Sequence, residues 1–169
     1  MKPCVSIIMG STSDLPVMEK AADVLNDFEV PFEIIALSAH RTPEEVERYS
    51  REARDRGIKV IIAGAGMAAH LPGVIAAQTT VPVIGVPIKA TLDGWDSILS
   101  ILQMPPGIPV ATVGVNAARN AGLLTIQMLA LSDSDLMKKF TGFKEDLKKK
   151  VIRANKELAT VKKYPYKTN

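Results

Sequence analysis

The chain has 169 residues, 47% hydrophobic and 23% charged, with a formal net charge of +3. This is the length of one ordinary domain and the composition of a globule, which excludes disordered and low-complexity chains. A single cysteine, Cys4, excludes an intramolecular disulfide and is expected in a reducing, cytoplasmic setting.

The basic excess is local. Residues 133–169 hold 11 Lys or Arg against 5 Asp or Glu, whereas residues 1–132 are net acidic. The tail lysines lie mostly opposite an apolar stripe and read as a solvated helix face. Aromatic residues are 5%, few for a base-stacking surface, so no nucleic-acid partner is expected. Cys4–Met9 is too short for a signal core, and the apolar region Val60–Pro87 is broken by Gly64, Gly66, His70, Pro72, Gln78 and Pro82. No membrane association is expected.

In chain order, Cys4–Met9 is a β-rich run ending at Gly10. Met18, Ala21, Ala22 and Leu25 follow at helical spacing. Phe32–Leu37 is the next strand, and Thr42-Pro43-Glu44-Glu45 reads as a capping box with proline at the first helical position. Val46, Tyr49 and Ala53 supply that helix's apolar face, and Gly57 closes it. Ile58–Ala63 is nearly all apolar, as strands buried on both faces are. A glycine-rich turn leads to a short helix near Leu71–Gln78, then a strand at Val81–Val86. Ser97–Met104 reads as helix, Val110–Val115 as a fifth strand and Ala117–Leu131 as a fifth helix. Strands alternating with helices over short connections predict a parallel five-stranded sheet between helical layers.

The last segment breaks the alternation. Leu136, Phe140, Phe143, Leu147, Val151, Ala154 and Leu158 form a helical stripe, as one long amphipathic helix or two broken near Gly142. The whole chain, residues 1–169, reads as a single domain, with 133–160 a helical extension that either covers its own sheet or packs on a neighbouring subunit.

Ligands of open parallel sheets bind beyond the carboxyl ends of the strands. Four loops fall there: Gly10-Ser11-Thr12-Ser13-Asp14, Ser38-Ala39-His40-Arg41-Thr42-Pro43, Gly64 through Gly73, and Pro87 through Gly94. Both histidines of the chain, a cation and a hydroxyl cluster therefore share one edge. The first loop opens a helix, where N–H groups and hydroxyls suit a phosphate or serve simply as caps. Gly64-Ala65-Gly66-Met67-Ala68-Ala69 matches G-x-G-x-x-A, but after the third strand and without the acid of a dinucleotide site, so NAD or FAD is not expected. His40 and His70 have no metal-ligand companions, and no metal is expected. His40, beside Arg41, is placed for general acid/base work. Cys4 reads as inert core and Trp95 as packing or interface.

These four loops, together with Gln103-Met104-Pro105, resemble the PurE family over residues 4–160, on its mutase branch. The resemblance implies a flavodoxin-like three-layer αβα sandwich, a homo-octamer, and no cofactor. It implies transfer of a carboxylate from exocyclic N5 to ring C4 of an aminoimidazole ribonucleotide in purine synthesis. It further implies that His40 and His70 are catalytic, with His40 shuttling the proton and His70 beside the reacting carboxylate. Ser11, Asp14 and Arg41 would bind the nucleotide, and Ser13 and Ser38 would neighbour its phosphate. Gly64, Ala65, Gly66 and Leu71 would line the pocket. The family's second branch is a carboxylase using free CO2. It typically carries lysine after Ser-Ala-His, and Arg41 and His70 place this chain with the mutases. Lys89-Ala90-Thr91-Leu92 departs from the commonest mutase wording. A flavin-binding redox protein and a non-catalytic nucleotide-binding module are the remaining classes.

Overall fold

A computed structural model describes residues 2–166. The chain divides between Met128 and Leu129 into two compact units. The first carries strands β1 (Val5–Met9), β2 (Phe32–Ala36), β3 (Val60–Gly66), β4 (Val83–Ile88) and β5 (Ala111–Thr112). Between them run helices α1 (Leu15–Asp27), α2 (Pro43–Glu52), α3 (Leu71–Gln78) and α4 (Trp95–Leu102), and α5 (Ala118–Ala130) follows β5. All strand pairs are parallel, in the order β2-β1-β3-β4-β5. This is the flavodoxin-like order, whose direction of winding reverses between β1 and β3.

Burial explains the strand sequences. Every residue of β1 and β4 is buried, as their near-continuous apolar runs require, with Ser6 the one polar side chain among them, whereas edge strand β2 keeps Ile34 and Ala36 exposed. Alternation assigns the faces of β3. Ile61, Ala63 and Ala65 join Val46, Tyr49, Leu71, Ile75 and Ile101 in one core beneath α2, α3 and α4. Gly64 faces the other way, against α1. A Cβ there would stand 2.3 Å from the sulfur of Met18, so only glycine lets helix and strand approach this closely. On the same side, a Cβ at Gly122 would meet the Val24 side chain at 3.0 Å and the Ala21 carbonyl at 3.1 Å, which places α5 against α1.

Several expectations shift in detail. β3 runs through Gly66, so the first half of the glycine-rich turn is strand, paired through Gly64–Val86 and Gly66–Ile88. β5 is two residues long, flanked by Pro109 and Gly114, rather than spanning Val110–Val115. α4 starts at Trp95, after Gly94 at φ 88°, and Trp95 is exposed. Cys4 is only half-buried, with its thiol donating to the Pro31 carbonyl at 3.5 Å, so it is not core; burial pushes the thiol pKa up.

The second unit is dominated by α6 (Ser134–Leu158), one unbroken helix through Gly142. Asp133 caps it, its carboxylate accepting from the N–H groups of Asp135 and Leu136. Leu136 and Phe140 are buried, whereas Leu147, Val151 and Leu158 further along the stripe are exposed. No helix among the described residues is long and apolar enough to cross a membrane.

Candidate active site

The loops after β1, β2, β3 and β4 enclose a cleft of about 710 Å³ at the carboxyl edge of the sheet. Ser11, Ser13, Asp14, Ser38, His40, Arg41, Ala65, Gly66, His70 and Leu71 all line it. Gly64 does not: it is buried in β3 and serves the contact with Met18.

The β1 loop is closed on itself. The Asp14 carboxylate accepts from the Ser11 N–H at 3.2 Å, and the Ser11 hydroxyl accepts from the Ser13 N–H at 3.3 Å, a complete capping box. The hydroxyls of Ser11 and Ser13 are 2.9 Å apart. Burial raises the Asp14 pKa, an effect partly offset by the Ser11 N–H and by the nearby Arg41 charge.

The β2 loop is held by its neighbours. Thr42 Oγ1 accepts from the Ser38 N–H at 3.0 Å and donates to the Ser38 carbonyl at 3.1 Å. The expected capping of α2 by the Thr42 hydroxyl is therefore absent: that oxygen is turned back onto Ser38. The Ser38 hydroxyl accepts from Arg41 through both its backbone N–H and its Nε, each at 3.3 Å. Arg41 Nη2 donates to the Gly10 carbonyl at 2.7 Å, joining the β2 loop to the β1 loop. Two of the five guanidinium donors are used in fixing the group's position.

His70 stands at the N-cap of α3. Its N–H donates to the Ala68 carbonyl, and its carbonyl accepts from Val74. Because β1 lies between β2 and β3, the loops of the two outer strands reach over it toward each other. His40 Nε2 and His70 Nδ1 meet at 2.8 Å, with the rings nearly perpendicular. In such a contact one nitrogen donates and the other accepts, so the pair shares a proton and each ring sets its partner's tautomer. The sequence placed both histidines at this edge but did not join them.

The cleft is also walled by Val17, Met67, Ala68, Ile88, Lys89 and Ala90; all but Val17 lie in the loops that the sequence places at this edge, though without an individual role. Met67 holds φ 56°, a left-handed turn that ends the strand and redirects the chain toward His70. Among the described residues no group of three or more His, Cys, Asp or Glu could hold a metal ion.

A model of the AIR carboxylase family matches residues 4–150. The chain belongs to that family, also called PurE. It is 60% identical over 148 residues to the N5-carboxyaminoimidazole ribonucleotide mutase of Pyrococcus abyssi, covering 87% of this chain and 85% of that one. It is 55% identical over 161 residues to the phosphoribosylaminoimidazole carboxylase of Candida glabrata, covering 95% of this chain but 28% of that longer protein. The crystal structure of Treponema denticola PurE superposes with a TM-score of 0.84 at 33% identity, covering 92% of this chain and 98% of the other.

Proposed function

We propose that this PurE-family protein is an N5-carboxyaminoimidazole ribonucleotide mutase, moving the carboxylate from N5 to C4 within one closed cleft, without cofactor. The observation that carries this reading is the hydrogen-bonded His40–His70 pair facing the same cleft as Ser11, Asp14, Ser38 and Arg41. The hydroxyls of Ser11, Ser13 and Ser38, with the Arg41 guanidinium, take the single phosphate, and Asp14 accepts from the nucleotide's sugar hydroxyls.

The chemistry is balanced by one proton. Breaking the N5–carboxylate bond releases CO2 and leaves an electron-rich enamine, with His40 giving N5 a proton. C4 of the enamine then attacks the same CO2, and the proton it carried returns to His40. His70 holds the His40 tautomer through each transfer, and the backbone of Ala65–Gly66 lines the space in which CO2 is retained. Fixed geometry and exclusion of water favour recapture over escape.

The activity assay decides the branch. Full conversion of the N5-carboxylated nucleotide at a rate independent of added bicarbonate is the expected result. Turnover of aminoimidazole ribonucleotide only with bicarbonate, and none of the N5-carboxylated nucleotide, assigns the chain to the carboxylases instead.

The protein acts in the cytoplasm as a homo-octamer in this reading, with residues 1–169 one functional domain. The exposed Leu147, Val151 and Leu158 of α6 supply apolar surface for a neighbouring subunit. Light scattering of the purified chain gives its assembly size directly; a monomer removes this part of the reading.

A further inference from the structure

Among the described residues, two cations line the cleft, Arg41 and Lys89, at opposite ends. Arg41 follows β2 and Lys89 follows β4, with β1 and β3 between them. Their parent strands are three spacings apart, ~14 Å at the usual separation of neighbouring strands. The Arg41 end is rich in hydroxyls. Around Lys89 the walls are apolar, formed by Ala65, Ile88 and Ala90.

Lys89 has a fixed root and a labile head. Its N–H donates to Asn116 Oδ1 at 2.9 Å, and the Asn116 N–H is itself held by the Pro87 carbonyl at 2.8 Å. The ammonium pairs with Asp93 Oδ1 at 2.7 Å, with both side chains more than half exposed. An exposed pair of this kind is weak and readily exchanged. The turn that returns Asp93 to Lys89 consists of Leu92, Asp93 and Gly94 at φ 43°, 54° and 88°, left-handed at three successive residues. The ammonium's present partner is thus a carboxylate, presented by a loop built to place it there.

We propose that Lys89 is the second ligand-binding cation of the cleft. It takes the carboxylate of the carboxylated aminoimidazole nucleotide, while Arg41 takes the phosphate. Asp93 is an internal carboxylate that holds the ammonium until the ligand's carboxylate displaces it. This inference rests on the nucleotide reading of the preceding subsection and adds a subsite to it.

The test is a calorimetric titration of the full-length chain and two variants, Lys89→Gln and Asp93→Asn. The probes are aminoimidazole ribonucleotide and its 4-carboxylated form, which share a phosphate and differ in the carboxylate. Lys89→Gln should weaken the carboxylated nucleotide about tenfold, the lower scale for losing one charged hydrogen bond, while shifting the uncarboxylated one less than about twofold. Asp93→Asn should tighten the carboxylated nucleotide by about threefold, since a weak surface competitor has been removed. Equal weakening of both nucleotides by Lys89→Gln, or no change in either, overturns the subsite alone. Weaker binding of the carboxylated nucleotide in Asp93→Asn does the same, because the pair would then be serving only to hold the loop. A wild-type chain that binds neither nucleotide overturns the functional reading, and the subsite with it.

Discussion

At the β2 end of the cleft, Ser38, Arg41 and Thr42 are tied by hydrogen bonds to one another and to the Gly10 carbonyl. At the β4 end, the loop is closed by the Gly94 N–H on the Thr91 carbonyl and tied to α4 through Thr91 with Asp96 and Ser97 with the Gly94 carbonyl, yet the Lys89 ammonium itself is held by an exposed ion pair with Asp93, in a turn of left-handed residues. The first end fixes side chains before a ligand arrives, so little ordering remains for binding to drive. The second end keeps its cation on an exchangeable partner. In the proposed binding mode, preorganisation falls where the constant part of the nucleotide would sit, and exchange where the reacting group would change position.

The sharpest way to break this comparison is at the preorganised end. His40→Asn retains a polar side chain but carries no proton near neutral pH and no longer reaches His70 as the ring Nε2 does. Turnover should fall by at least ~10²-fold with nucleotide affinity little changed, the usual cost of losing an acid/base group. His70→Asn should cost less, because His40 remains to transfer the proton. Steady-state rates and calorimetric affinities measured on both variants check this, and near-normal turnover in His40→Asn with none in His70→Asn reverses the two roles.

Arg41→Ala removes the guanidinium that joins the β1 and β2 loops. Substrate binding should weaken by about 2–4 kcal/mol, the scale for losing one partner of a desolvated charge pair. Unchanged affinity would take Arg41 out of the phosphate site and leave the two ends of the cleft without their contrast.

The smallest effect belongs to the β4 end. Leu92, 73% exposed and at φ 43°, gains nothing from burial and strains the backbone. Leu92→Gly should stabilise the fold by about 0.5 kcal/mol, the left-handed penalty removed less the entropy glycine adds to the unfolded chain. Chemical denaturation measures it, and a clear loss of stability would show that the loop is held by its side chains rather than against its backbone preference.

Much of this was legible from the residues. Near-continuous apolar runs marked β1, β3 and β4, because strands buried on both faces have little polar side to show. The loops at the carboxyl edge followed from the alternation of strands and helices. What escaped depended on contacts between distant segments. Thr42-Pro43-Glu44-Glu45 has the wording of a capping box, yet the Thr42 hydroxyl is taken by Ser38 four residues earlier. Gly64 shares its motif with the pocket-lining Ala65 and Gly66, but it lies deeper in β3, behind Met18 of α1, whereas Ala65 and Gly66 stand at the strand's carboxyl end, a distinction that appears only once β3 is seen to continue through Gly66. The bond between His40 and His70 requires the sheet order, in which β1 separates their strands. Lys89 stood out as a departure in wording, but its place in the cleft depends on β4 lying beside β3.

The contact between Gly64 and Met18 also gives the molecule a built-in reporter of its own opening. Met18 is fully buried, its thioether pressed against the glycine's backbone with no room for even one added carbon. An oxidant can reach that sulfur only when α1 lifts from the sheet, and the sulfoxide formed is too large and too polar to fit back. The rate at which peroxide modifies Met18, set against that of the exposed Met67, therefore counts how often the helix beside the cleft detaches. Each count is also a loss, since an oxidised Met18 leaves the first loop of the cleft with no helix seated behind it.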